Sequence, residues 1–281
     1  MAEVDAARAW LRHFGVHVET PSRLLSVRIG ARRPANTPAR MAWLAGSAVA
    51  GAALTLAFGL LQMLPTVQGG EMTESRYFYF ILAAIQLGTW LSVRHRERQL
   101  GGLPVVDRRS GRPSVLKVMS GWYLASLLIT FVGGAALAVA MYFTTSAQTY
   151  AWSWLVALGW AAMCCAVVLV GTLSRRVRAE DTLSAAVDTV LRSNDLLYAM
   201  PGVYTVFILI DPLFSHRSPE EFTWWLVLYA VLAAVTTAAA FRQQWRRAVP
   251  QRLPDTYGTE INAALRGDSG KEPGVQPGPR A

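Results

Sequence analysis

Six long apolar stretches, each bounded by polar or charged residues, dominate the pattern along the chain. They run over residues 41–64, 77–93, 118–143, 151–173, 196–214 and 222–241. Each is close to the roughly 20 residues that carry a helix across the hydrocarbon of a bilayer. From Val118 to Ser174 no residue is charged. A soluble domain of this size cannot bury so long an apolar run, whereas a bilayer holds it as two consecutive spans. The expectation is therefore an all-α bundle of six transmembrane helices. A basic arm (residues 1–40) precedes it, the membrane domain covers 41–241, and a polar tail occupies 242–281. The end of that tail is rich in Gly and Pro and lacks the apolar content of a folded unit.

The arm has its own periodicity. Ala7, Trp10, Leu11 and Phe14 recur at helical spacing, and Gly15 marks a stop. Thr20-Pro21 reads as a cap and first-turn proline, after which Leu24, Leu25 and Ile29 alternate with Arg23 and Arg28. A basic amphipathic segment before a span is expected to lie on the inner membrane surface. A second amphipathic pattern follows the fourth span. Leu183, Val187, Val190 and Leu191 form one stripe, with Asp181, Asp188 and Arg192 opposite. It predicts a continuation of the fourth span into the cytoplasm, ending where Ser193-Asn194-Asp195 caps the fifth. The stripe suits either an internal elbow or a docking helix.

Charge sets the orientation. Of the 27 Lys and Arg residues, 25 fall in the arm, the 94–117 loop, the 175–192 connection and the tail; Arg76 and Arg217 alone fall on the other side. Basic loops stay in the cytoplasm, so both termini are expected there. The net charge of +9 is accounted for by this asymmetry, and no nucleic-acid-binding signature accompanies it. Trp43, Trp90, Trp122 and Trp245 fall at the inner ends of spans, and Trp152, Trp154, Trp224 and Trp225 at the outer ends. Amphipathic rings prefer that depth. Arginine outnumbers lysine 25 to 2, a bias of GC-rich coding that points to a bacterial plasma membrane.

Candidate chemistry is sparse. The two cysteines, Cys164 and Cys165, are adjacent, which disfavours a disulfide. His13 and His17 lack a third metal ligand nearby. The H-E-x-x-H and phosphate-loop signatures are missing, and no span carries an arginine ladder or a carboxylate pair. No catalytic residue, cofactor or metal site is expected, and the chain does not read as an enzyme. Asp211 is the one carboxylate within a span. It opposes the helix dipole there and needs a cation, which Arg76, Arg217 or His216 can supply, as part of either the structure or a pathway mouth. Arg32, Arg33 and Arg40 are the candidate contacts to anionic lipid or a cytoplasmic partner.

Small residues are dense within the spans. Gly46, Ser47, Ala50 and Gly51 in the first, and Gly133, Gly134 and Ala138 in the third, allow close approach within a bundle or between copies in a homo-oligomer. Mid-span polar residues such as Gln86, Thr89, Ser126, Thr130, Tyr204, Thr205, Thr236 and Thr237 either bond across helices or line a path. Two functional expectations follow. One is a permease-like or transport-associated subunit that borrows energy from a separate ATPase. The other is a non-catalytic scaffold or regulatory protein.

Overall fold

The computed structural model describes residues 2–32, 38–62, 77–98, 118–175, 182–202, 204–205 and 218–248, and these form helices with no strand among them. The arm folds as α1 (Ala2–His13) and α2 (Arg23–Gly30). Then come α3 (Pro38–Gln62), α4 (Tyr77–Arg98), α5 (Gly121–Thr144), α6 (Gln148–Leu173), α7 (Thr182–Asp195) and α8 (Thr223–Ala248).

Four segments are long and apolar enough to cross a membrane: Pro38–Leu61, Gly121–Thr144, Gln148–Leu173 and Glu220–Ala248. Helix α4 falls short of that group, because its apolar part ends at Val93 and Arg94, Arg96, Glu97 and Arg98 form its last turn. Most of the expected fifth span, including Asp211, lies outside the described residues.

Packing follows the small residues. At Gly51 an added Cβ would sit 2.6 Å from Ile81 Cα, so α3 and α4 touch backbone to backbone there. Gly134 leaves room for the ring of Tyr229, and Gly171 for that of Trp90. The interior cluster joins Ala83 of α4, Ala138 and Met141 of α5, Tyr150 to Cys164 of α6, and Leu226 to Ala230 of α8. Both cysteines are free and buried. Trp90 and Trp154 are buried against neighbouring helices, at 5% and 6% exposure, rather than facing outward. Trp224, Trp225 and Trp245 do face outward from α8. Trp225 and Trp245 stand twenty positions apart, which is about 30 Å of helix, the thickness of a hydrocarbon core.

Helix α5 widens to a π-turn over Leu128–Gly133. Tyr229 of α8 donates its hydroxyl to Thr130 O at 2.6 Å inside that turn, and a side chain entering the backbone ladder is a standard cause of such a turn.

Candidate functional site: a buried ionic cap

The two amphipathic patterns outside the spans cover each other. Ala7, Leu11 and Val16 of the α1 region and Leu25 and Ile29 of α2 pack on Leu183, Val187 and Leu191 of α7. The local cause is plain in both partners. Helix α1 carries Glu3 and Asp5 in its first turn and Arg12 and His13 in its last, as its dipole favours, and Gly15 with φ +81° turns the chain out of it. The cap of α2 is Ser22, whose Oγ accepts from Leu25 N at 3.2 Å, rather than Thr20. Once α1 and α2 seat, burial of their apolar face contributes about 1.5–3 kcal/mol per large side chain.

The seated arm delivers two arginines, Arg28 and Arg32, to carboxylates on α4 and α7. Arg28 donates to Asp188 through Nη2, and its Nε lies 3.6 Å from Glu97. Arg32 grips Asp195 with a two-pronged fork, Nε to Oδ1 at 2.9 Å and Nη2 to Oδ2 at 2.7 Å. Its Nη1 donates to Glu97 at 2.6 Å and to the Arg28 carbonyl at 2.8 Å. From the other side, Arg175 donates to Glu97 at 2.5 Å and to Asp188 at 3.0 Å. Arg192 donates to Asp188 at 2.6 Å and to Thr172 O at 3.1 Å. At the rim, Arg94 lies 3.7 Å from Glu97, and Arg96 pairs with Glu3 of α1. Four buried guanidiniums thus face three buried carboxylates.

Burial alone would push the Glu97 carboxyl up, but Arg32, Arg175 and Arg28 outweigh it and hold this group well below the usual carboxylate range. The same balance holds Asp188 down, with Arg28, Arg175 and Arg192 overcoming its desolvation. Desolvation lowers Arg28, whereas Asp195 and Glu97 overcome it at Arg32 and raise that guanidinium. Both carboxylates stay ionised at neutral pH. An isolated ion here would cost several kcal/mol to bury, and the multiple pairing offsets that cost. With Glu97 and Asp188 each bridging several guanidiniums, the cluster is suited to holding four segments together.

The candidate residues read from sequence are placed as follows. Arg32 faces inward and is paired, so it offers no contact to lipid; local spacing could not reveal carboxylates 65 and 163 positions away. Arg40 is half-buried in the first turn of α3. Asp211, Arg76, Arg217 and Arg33 lie outside the described residues. Asp195 does not cap a following helix: its side chain makes no capping bond and goes to Arg32 instead. The chain runs on through a 3-10 turn, Leu196–Ala199, to an extended Met200 before Pro201. Helix α6 ends at Leu173 with Ser174 as its cap.

Carbonyls near that interrupted end are satisfied from three other helices. Gln244 of α8 donates to Ser193 O at 3.1 Å and to Val118 O at 3.2 Å. Tyr123 of α5 donates to Leu196 O at 2.8 Å, and Gln86 of α4 donates to Met200 O at 3.1 Å. Glu97, Asp188, Arg175, Gln244 and Tyr123 were not singled out as site residues from sequence. Their signal was weak, because Glu97 sits in an Arg-rich helix end that reads as a topology determinant.

No group of three or more His, Cys, Asp and Glu side chains with metal-holding geometry occurs among the described residues. In comparison with known proteins, the chain matches no family model, no curated protein and no solved structure.

Proposed function

We propose that the chain crosses the plasma membrane six times with both termini in the cytoplasm, and that it is a non-catalytic scaffold or regulatory component presenting a preformed cap on the inner face. The observation that supports this reading is where the polar groups of the spans go. Gln86 bonds Met200 O, Trp160 bonds Phe80 O at 3.2 Å, Tyr229 bonds Thr130 O, and Thr205 shares a 3.1 Å bond with Thr237. These groups tie helices together, while the buried charged groups among the described residues gather at one end in mutual pairs. Anionic lipid contact then falls to Arg33, Arg40 and the outward-facing Arg242, Arg246 and Arg247 at the basic end of α8.

The test is reconstitution into liposomes with and without anionic lipid. A scaffold retains anionic lipid and gives no flux of neutral or charged solutes above protein-free vesicles. Solute flux, or no preference for anionic lipid when Arg242, Arg246 and Arg247 are intact, removes it.

A second reading, a transport-associated subunit working with a separate ATPase, draws support from the interruption at Met200–Pro201. Interrupted helices build substrate sites in many transporters. A stoichiometric ATPase co-purifying in mild detergent favours it, and its absence together with no flux removes it.

A further inference from the structure

The N-terminal arm is a unit of its own. Arg8 in the middle of α1 donates through Nε to Glu19 O at 3.1 Å and through Nη2 at 2.5 Å, fastening α1 to the segment before α2. Ser22 caps α2 internally, and the two helices share an apolar face through Leu11, Leu25 and Ile29. The hairpin therefore closes its own turn between α1 and α2 and carries one apolar face and two arginines outward from itself.

The surface beneath it is also complete in a particular way. Arg175 already pairs with Glu97 and Asp188, and Arg192 pairs with Asp188. If Arg28 and Arg32 leave, neither Glu97 nor Asp188 is stranded without a cation, and Asp195 still has Arg175 at 3.9 Å. Removing one side of a buried pair is ordinarily prohibitive because it leaves a bare charge; the duplicate pairing here avoids that. What the departure uncovers is a shelf with three carboxylates facing two buried guanidiniums, bordered by the apolar stripe of Leu183, Val187 and Leu191. Arg94 reaches only the rim of Glu97.

From these features we propose that the arm is a latch. The shelf on α4, α6 and α7 is a recognition surface for an amphipathic helix bearing one arginine in its last turn and a second just past its end. The chain's own α2 and the turn after it fill the shelf in cis, and a cytoplasmic partner helix of the same chemistry takes it when the arm opens. Arg28 lies in the last turn of α2 and Arg32 two residues past its end, where Arg32 N still bonds Ile29 O at 3.2 Å; Arg28 reaches Asp188 and Glu97, and Arg32 reaches Glu97 and forks onto Asp195. The proposal rests on the scaffold reading, since it supplies that scaffold with a regulated docking face.

The experiment uses the full-length protein in lipid nanodiscs and hydrogen exchange of three segments, Ala2–Gly30, Thr182–Asp195 and Gln148–Leu173. In Arg28→Gln/Arg32→Gln, and more strongly in Arg28→Glu/Arg32→Glu, exchange over the first two segments is expected to rise together at least tenfold. The third should stay within twofold. A synthetic peptide of residues 2–32, added to the Glu variant, should restore protection over Thr182–Asp195, and the same peptide carrying R28Q and R32Q should not. Unchanged exchange in the Glu variant overturns the latch. So does a rise that spreads equally into Gln148–Leu173, which makes the arm part of one cooperative core. Opening without protection by the peptide overturns the recognition surface. None of these readouts involves flux or lipid retention, so the latch and the scaffold reading fail separately.

Discussion

Arg28 of α2 and Asp188 of α7 are 160 positions apart in sequence, yet their side chains share a hydrogen bond with 2% and 1% of their surfaces exposed. Asp188 accepts two further guanidiniums, those of Arg175 and Arg192. One carboxylate thus ties the arm to the ends of two bundle segments, and its loss leaves three cations short of an acceptor.

Asp188→Asn is therefore expected to destabilise the cap by about 3–5 kcal/mol, the usual cost of breaking a buried pair from one side. Denaturant titration followed by hydrogen exchange over Thr182–Asp195 measures it. A loss below about 1 kcal/mol contradicts the central role given to this carboxylate.

Arg32→Lys keeps the charge but not the fork. A single ammonium cannot reproduce the paired bonds to Asp195 together with those to Glu97 and the Arg28 carbonyl. The expected cost is about 1–3 kcal/mol, read as weaker protection of Arg23–Gly30. Protection equal to that of the wild type would show that charge alone suffices.

The pH response has a definite sign. Glu97 and Asp188 have folded-state values depressed below their unfolded ones. They contribute their full stability above the unfolded carboxylate values near 4 and lose it as pH falls through the depressed ones. Cap stability is thus expected to be flat with respect to these groups from about pH 5 to 8 and to decline below about pH 4. Glu97→Gln should remove part of that decline. A loss of cap protection between pH 6 and 8 that Glu97→Gln abolishes would contradict the assignment.

Gly51 and Gly46 form a matched pair for testing the bundle. An added Cβ at Gly51 meets the Ile81 backbone, whereas at Gly46 nothing lies within 4 Å. Gly51→Ala is expected to cost about 1–3 kcal/mol as overpacking. Gly46→Ala should be neutral or slightly stabilising in thermal unfolding in detergent. Equal effects would mean that α3 and α4 do not meet at Gly51.

Gln244→Leu removes the donor shared by Val118 O and Ser193 O, leaving buried carbonyls at the ends of two segments. A cost of about 1–3 kcal/mol for each carbonyl left unpaired is expected, with exchange rising near Ser193. Unaltered stability would show that water reaches those carbonyls.

Much of the architecture was legible from local pattern. The uncharged run from Val118 to Ser174 reads as two long apolar helices, because a helix pairs its backbone polar groups within its own segment when no water is there to do so. The spacing of Ala7, Leu11 and Phe14, and of Leu183, Val187 and Leu191, marks two helices that each need a cover. The details at helix ends were less legible. Asp195 carries the composition of a cap, and only the nearby fork of Arg32 shows that its carboxylate is already committed. Trp90 and Trp154 sit at span ends in sequence, yet Gly171 opens a gap for the first and the interior cluster takes in the second.

Periodicity along one helix specifies which side must leave water, since that depends only on the residues of the helix itself. It carries no address for what arrives to cover that side. Alone, the amino-acid order of this protein determined its apolar helices, its amphipathic faces and the lopsided placement of its arginines. The tertiary structure decided that the arm and α7 cover one another and that Arg28 and Arg32 meet Glu97, Asp188 and Asp195. Those pairings form between residues 65 to 163 positions apart, and only the packed bundle brings their charges within reach of each other and away from water.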